Sequence, residues 1–210
     1  MNNNLTDITV VLDRSGSMAS CRADAEGGLN TFVETQSQQP GDALFTLVEF
    51  DDQYNFVHKG VPIKKVPPYN LVPRGRTALL DAIGRAINET GQRLGKMPES
   101  DRPGLVVFAI LTDGGENAST EFNGAQVRAM IEDQTKEQNW QFTYLGANQD
   151  AFAVAGAMGI KAESTMNYST AKSEQTFRSL SANTTRMRAT KSLGGKVVSE
   201  YTEDERNSSA

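Results

Sequence analysis

The chain has 210 residues, of which 38% are hydrophobic and 22% charged, and its formal net charge at pH 7 is −5. A chain of this length buries about 70% of its unfolded surface, and its acidic balance argues against general nucleic-acid binding. No apolar run approaches the roughly 18 residues of a membrane span, and the single Cys21 cannot form an internal disulfide. The N-terminal residues lack the basic and apolar regions of a secretion signal, so we expect a cytoplasmic protein.

The first predicted strand, residues 8–12, ends in a loop rich in oxygen-bearing side chains. The loop reads Asp13-Arg14-Ser15-Gly16-Ser17, which sets one carboxylate and two hydroxyls at alternate positions. Hard cations such as Mg²⁺ prefer oxygen ligands, so the segment predicts a metal site in which Ser15 and Ser17 bind directly and Asp13 binds through water. The alternative is an ordinary turn and helix cap, where Ser and Asp are also common.

A helix and a hairpin follow this loop. Apolar residues at helical spacing predict a helix that ends near residue 39, before Pro40-Gly41. Residues 43–50 and 54–58 alternate as strands on either side of Asp51-Asp52, which predicts an antiparallel hairpin at a sheet edge. We expect Asp51 and Asp52 to be simple turn residues, and the single histidine, His58, to be structural rather than catalytic.

The next segment is rich in proline and in positive charge. Residues 60–75 contain four prolines and form a connection, and Gly75-Arg76-Thr77 then brings a threonine to the start of a helix that ends near Gly95. Residues 53–80 hold five Lys or Arg and no Asp or Glu. Arg74 and Arg76 therefore form either a basic rim that steers an acidic partner or a solvated loop.

The remaining elements continue the alternation of strands and helices. Residues 105–112 predict a buried strand that ends at Asp113-Gly114, and 140–145 predict another strand after a helix over 121–138. Asn148 is expected to cap a short helix through residue 158, and Glu116 to be solvated. A last helix over 172–188 completes a single domain at 1–190, and 191–210 are expected to form a flexible polar tail.

This alternation predicts a doubly wound α/β fold, with a mostly parallel sheet, an antiparallel edge strand and helices on both faces. Ligands in such folds bind at the carboxyl ends of strands, where the strand order reverses. Asp13 and Asp113 both follow strand ends, so they converge if their strands are neighbours.

Three motifs carry a family resemblance: D-x-S-x-S at Asp13, G-x-T at Thr77 and T-D-G at Asp113. Together they resemble the metal-ion-dependent adhesion site of a von Willebrand factor type A domain, and the resemblance runs from residue 6 to residue 160. It implies a Rossmann-like fold and a Mg²⁺ or Mn²⁺ bound by five side chains: Asp13, Ser15, Ser17, Thr77 and Asp113. Arg76 departs from the glycine often found in the family, which changes the charge at the rim.

The resemblance implies a stand-alone bacterial or phage protein that is not an enzyme. In this interpretation a partner protein presents an Asp or Glu carboxylate that completes the metal shell. Two alternatives stay open: a Mg²⁺-dependent hydrolase or phosphotransferase, and an assembly component with a purely structural metal. A haloacid-dehalogenase-like phosphatase needs a carboxylate where Ser15 stands, and no phosphate-binding Gly-Lys-Ser/Thr loop is present. Neither nucleic acid nor membrane is expected as a partner, and the oligomeric state is left open.

Overall fold

A computed structural model describes all 210 residues and contains one six-stranded sheet. Its strands are β1 (Asn2–Asp13), β2 (Asp42–Phe50), β3 (Tyr54–Pro62), β4 (Pro103–Thr112), β5 (Gln141–Gly146) and β6 (Thr165–Asn167). Their order is β3-β2-β1-β4-β5-β6, and only the β2–β3 pair is antiparallel. The predicted doubly wound sheet with an antiparallel edge strand is confirmed.

Six helices connect and cover the strands. They are α1 (Arg22–Ser37), α2 (Leu79–Gly95), α3 (Gly124–Gln138), α4 (Ala151–Ala157), α5 (Ser173–Ser192) and α6 (Glu203–Ser209). None of them combines the length and the apolar character that crossing a lipid bilayer requires.

The sheet is buried on both faces because side chains alternate along each strand. In β1, Ile8 and Leu12 face a core built with α1 and α5, whereas Val11 faces a second core built with α2, α3 and α4. All three side chains are fully buried. This two-sided burial explains why β1 and β4 read as continuous apolar runs rather than as alternating ones, and why helices cover both faces as predicted.

The order of the strands positions the candidate site. β1 and β4 are parallel neighbours, with Leu12 opposite Leu111, and the strand order reverses between them. Their carboxyl ends therefore bring Asp13 and Asp113 to the same end of the sheet, so the condition for the convergence of the two aspartates is met.

Residues 191–210 differ from the predicted flexible tail. Val197 and Tyr201 are buried, the Tyr201 hydroxyl lies 2.7 Å from Thr143 Oγ1, and α6 begins with a capping box. The few apolar residues of this segment stand in a largely polar run, so its composition reads as polar although the chain packs against the sheet. The packed chain thus continues beyond the expected limit at residue 190.

Two other expectations need correction near β5. α4 is capped by Asp150, whose side chain accepts a hydrogen bond from the Ala153 N–H, and not by the predicted Asn148. Asn148 instead has a left-handed backbone at φ 55 and donates to the Asp113 carbonyl. β6 was not predicted because three residues are too few to show a period.

The packing of α1 against α5 predicts that replacing glycine by alanine has opposite effects on stability at the adjacent positions Gly27 and Gly28. A Cβ at Gly28 would lie 2.4 Å from the buried Phe177 ring, whereas one at Gly27 meets nothing within 4 Å. Gly27→Ala is expected to stabilise the protein by about 0.5–1 kcal/mol through helix propensity. Gly28→Ala is expected to destabilise it by about 1–2 kcal/mol, since overpacking outweighs that gain.

Urea unfolding of both variants beside the wild type measures the difference. Equal effects at the two positions would show that α1 and α5 are not in close contact.

Candidate metal centre

The candidate centre begins with two buried aspartates, Asp13 at the end of β1 and Asp113 just after β4. Asp13 is fully buried, and both of its oxygens are hydrogen-bonded: Oδ1 accepts from the Ser15 N–H at 2.7 Å and Oδ2 from the Thr112 hydroxyl at 2.6 Å. Asp113 is 2% exposed. Its Oδ1 accepts from the Ser17 hydroxyl at 2.6 Å, and its buried Oδ2 has no hydrogen-bond partner.

The three hydroxyl residues lie around this pair. Ser15 Oγ is 3.0 Å from Ser17 Oγ, so Ser15, Ser17 and Asp113 form one continuous row of oxygens. Thr77 comes from another loop, yet its Oγ1 and Ser17 Oγ lie 3.8 and 3.7 Å from an ideal Cβ at Gly114. The structure therefore brings all five sequence-predicted residues into one cluster.

The loop after β4 holds Thr77 in place. Asn117 Oδ1 accepts from the Thr77 N–H at 3.0 Å, and the Asn117 N–H donates to the Thr77 carbonyl at 3.0 Å. Glu116 is exposed as predicted, but its carboxylate accepts from the backbone N–H groups of Leu80, Ala118 and Ser119. These roles had no sequence signal beyond proximity to Asp113.

A cluster of charged side chains, the arginine cluster, joins the loops beneath the site: Arg14, Glu49, Asp51 and Arg74. The Arg14 guanidinium pairs with Glu49, and its Nε lies 2.9 Å from Asp51 Oδ2, an ion pair whose N–H is not aligned as a hydrogen bond. Arg74 Nε donates to the same Asp51 oxygen at 2.7 Å. Arg14 lies between Asp13 and Ser15, and Arg74 lies three residues before Thr77. The cluster therefore joins the two loops that carry these residues to the end of β2.

Asp51 is therefore more than the simple turn residue that the sequence indicated. It is fully buried, and its carbonyl accepts from the Ala78 N–H, next to Thr77, at 2.7 Å. Burial alone raises a carboxyl pKa, but hydrogen bonds from Arg74 and Gln53 and the charge of Arg14 hold the pKa of Asp51 below its ordinary value. The sequence signal for this role was the position of Asp51 directly after a buried strand. Its contacts with two arginines became visible only in the structure.

The two central aspartates have no such positive partner. Neither Asp13 nor Asp113 takes part in an ion pair, since the nearby arginine Arg14 is engaged by Glu49 and Asp51. Burial raises the pKa of Asp13 to about 6, against hydrogen bonds from Thr112 and Ser15 that lower it, and the nearby charge of Asp113 adds to the rise. Burial likewise raises the pKa of Asp113. The pair is thus short of positive charge.

This donor set fits a hard divalent cation. No group of three or more His, Cys, Asp or Glu side chains is placed to hold a metal, so a centre here would combine two carboxylates with neutral hydroxyls. All the donors are oxygens, which favour Mg²⁺ or Mn²⁺ over softer metals. The unpartnered buried Asp113 Oδ2 is the atom that such an ion would compensate.

The other reactive side chains lie apart from the cluster or are engaged in packing. His58 is on the edge strand β3, with its ring centroid 6.4 Å from that of Phe45, and burial lowers its pKa. Cys21 is buried, and its Sγ lies 3.6 Å from the Met18 carbonyl.

Comparisons with known proteins support the fold. The sequence matches no protein-family model and no curated protein. Solved structures do match: a von Willebrand factor type A protein from Catenulispora acidiphila has a TM-score of 0.56 at 18% identity over 86% of this chain. The chain has the von Willebrand factor type A fold.

Two further type A structures extend the likeness. The vWF domain of the type V pili tip protein Mfa5 from Porphyromonas gingivalis matches with a TM-score of 0.58 at 12% identity, over 84% of this chain and 94% of that one. The manganese-loaded TRAP protein of Plasmodium vivax matches with a TM-score of 0.56 at 12% identity, over 83% of this chain and 72% of that one. The chain spans only 42% of the Catenulispora protein and less than half of several other matches.

The raised pKa of Asp13 predicts that its charge destabilises the metal-free protein. Its folded pKa of about 6 exceeds the ordinary 3.8, so the folded state binds the proton more tightly, and stability falls as pH rises from about 4 to 6. Asp13→Asn is expected to stabilise EDTA-treated protein at pH 7.5 by about 1–3 kcal/mol, a gain that vanishes near pH 4.

Chemical unfolding at the two pH values measures this gain. Asp133→Asn, which changes an exposed carboxylate on α3, is the control and is expected to change stability by less than about 0.5 kcal/mol. A destabilised Asp13→Asn protein at pH 7.5 would contradict the interpretation.

The arginine cluster predicts unequal effects for two neighbouring aspartates. Asp51→Ala leaves Arg14 and Arg74 without a shared partner and is expected to destabilise the protein by about 2–4 kcal/mol. Asp52→Ala changes an exposed side chain and is expected to have an effect below about 0.5 kcal/mol. Thermal unfolding compares the two, and similar losses would indicate that Asp51 is a turn residue only.

Proposed function

We propose that this chain is a divalent-cation-dependent protein-interaction module and not an enzyme. In this proposal Asp13, Ser15, Ser17, Thr77 and Asp113 hold Mg²⁺ or Mn²⁺, and an Asp or Glu side chain of a partner protein completes the shell. The observation that carries the proposal is the pair of buried carboxylates, Asp13 and Asp113, which has no positive partner in the chain.

The hydrogen bonds of Asp13 bear on how such an ion would be held. Both Asp13 oxygens already accept hydrogen bonds from Ser15 and Thr112, which supports a role through water rather than direct binding. The groups left for direct contact are mainly neutral hydroxyls. An ion held largely by neutral oxygens stays electrophilic and attracts an anionic oxygen from outside.

The comparisons support the same function at a coarser level. One matched structure is a manganese-loaded protein and another is a domain of a pili tip protein, so a type A fold in this chain is compatible with metal-dependent protein binding. We further propose that the protein is of bacterial or phage type and acts in the cytoplasm. The single Cys21 is buried and forms no disulfide, which fits a reducing compartment.

The test removes one hydroxyl ligand without changing shape. Thr77→Val keeps the branched side chain and is expected to lower Mn²⁺ affinity by at least tenfold, since even supporting residues around a metal contribute about 10- to 100-fold. Mn²⁺ binding is measured by isothermal titration calorimetry. Thr31→Val, an equivalent change at an exposed position of α1, is the control and should leave the affinity unchanged.

Partner capture then separates this function from its alternatives. Immobilised wild type, Thr77→Val and Asp13→Ala are exposed to source-cell lysate with Mg²⁺ or with EDTA. A partner that is retained only by the wild type with Mg²⁺ supports the proposal. A partner that stays bound in EDTA, while the melting temperature falls, indicates a structural metal instead.

A further inference from the structure

The loop that leads to Thr77 is hydrogen-bonded to the Asp13–Ser17 loop and carries three exposed side chains, which we name the rim strip: Val72, Arg74 and Arg76. Val72 is 55% exposed, and it is one of five large hydrophobic residues in the chain whose side chains are exposed. The surrounding segment, residues 53–80, holds five basic and no acidic residues in a chain of net charge −5. An apolar side chain and neighbouring guanidinium groups thus lie on a loop next to the candidate metal centre, which in the proposed function attracts an anionic side chain.

The backbone that carries Val72 is fixed on both sides. Four residues of this loop form backbone hydrogen bonds to α1 or to the Asp13–Ser17 loop: Tyr69, Leu71, Arg74 and Gly75. The contacts nearest the centre are the Arg74 N–H to the Arg14 carbonyl at 2.8 Å and the Gly16 N–H to the Gly75 carbonyl at 3.3 Å. A loop fixed in this way loses little conformational entropy when a partner covers Val72.

The two arginines of the rim strip differ in their partners. Arg74 is neutralised by the buried carboxylate of Asp51, whereas Arg76 donates only to the Asn117 carbonyl and has no carboxylate partner. Arg76 directly precedes Thr77, and adjacent Cα atoms lie about 3.8 Å apart. A segment whose carboxylate reaches Thr77 therefore brings its neighbouring side chains near a guanidinium that has no carboxylate partner.

We propose that the rim strip is a second contact surface for the segment that binds the metal, and that it selects a flanking acidic residue at Arg76 and an apolar residue at Val72. This inference rests on the proposed function. A protein segment fits better than a nucleic acid, because Val72 offers nothing to a phosphate and the chain as a whole is acidic.

Two capped peptides test the proposal by NMR titration of ¹⁵N-labelled, Mg²⁺-loaded protein. Gly-Gly-Glu-Gly-Gly supplies one carboxylate, and the symmetric Leu-Glu-Glu-Glu-Leu supplies flanking acidic and apolar groups for either chain direction. The wild type is expected to bind the second peptide about three- to tenfold more tightly. Arg76→Gln and Val72→Ser should each reduce that ratio, and Arg128→Gln, an exposed charge on α3, should not. A peptide with three glutamates has three chances to bind the metal, and this statistical advantage is the same for the wild type and for every variant. A change in the affinity ratio between variants therefore reports a contact with the rim strip.

Each outcome is decisive. If both peptides bind with Mg²⁺ but the ratio is equal in all variants, the rim strip is no contact surface and the proposed function stands. If neither peptide shifts resonances beyond an EDTA-treated sample, both proposals fail. If a deoxythymidine decanucleotide binds without Mg²⁺ and loses affinity in Arg76→Gln, the strip recognises nucleic acid and the inference is overturned.

Discussion

Two buried carboxylates at adjacent strand ends are the constraint around which the candidate centre is built. Asp13 and Asp113 repel each other and have lost their water, yet the chain surrounds them only with hydroxyls and backbone N–H groups. Those neutral donors hold the carboxylates in position without neutralising their charge. Negative charge that the chain does not neutralise therefore lies at the point where the strand order reverses, and a bound cation is the simplest group that neutralises it.

The one arginine of the Asp13–Ser17 loop does not neutralise the two aspartates. Arg14 lies between Asp13 and Ser15 in the sequence, but its guanidinium pairs with Glu49 and Asp51 at the end of β2. The separation has two effects. It leaves the two central aspartates available to an external ion, and it joins the Asp13–Ser17 loop to the end of β2 through ion pairs within the chain.

Strong local patterns in the sequence predicted the fold, whereas the set of five side chains was predicted from a family resemblance carried by three short motifs. Apolar strands, a proline-rich connection and helical stripes predicted the layers. Short motifs at two strand ends and at one helix start predicted Asp13, Asp113 and Thr77. The supporting contacts were harder to predict, because the role of Asp51 depends on arginines that are distant in sequence. The same holds for Tyr201, whose partner Thr143 is 58 positions away, and for Asn148, whose left-handed backbone reflects its contact with the Asp113 carbonyl.

The buried C-terminal segment lies along the outer side of β5, where the sheet has no further strand. β6 pairs with β5 only over Tyr144–Gly146, so the first half of β5 lacks a strand on its outer side. There the Ser199 N–H donates to the Gln141 side chain, and the Tyr201 hydroxyl contacts Thr143. Exposed strand edges invite pairing with other chains and aggregation. The segment that contains Ser199 and Tyr201 therefore covers part of an open sheet edge, on the opposite side of the sheet from the β2–β3 hairpin.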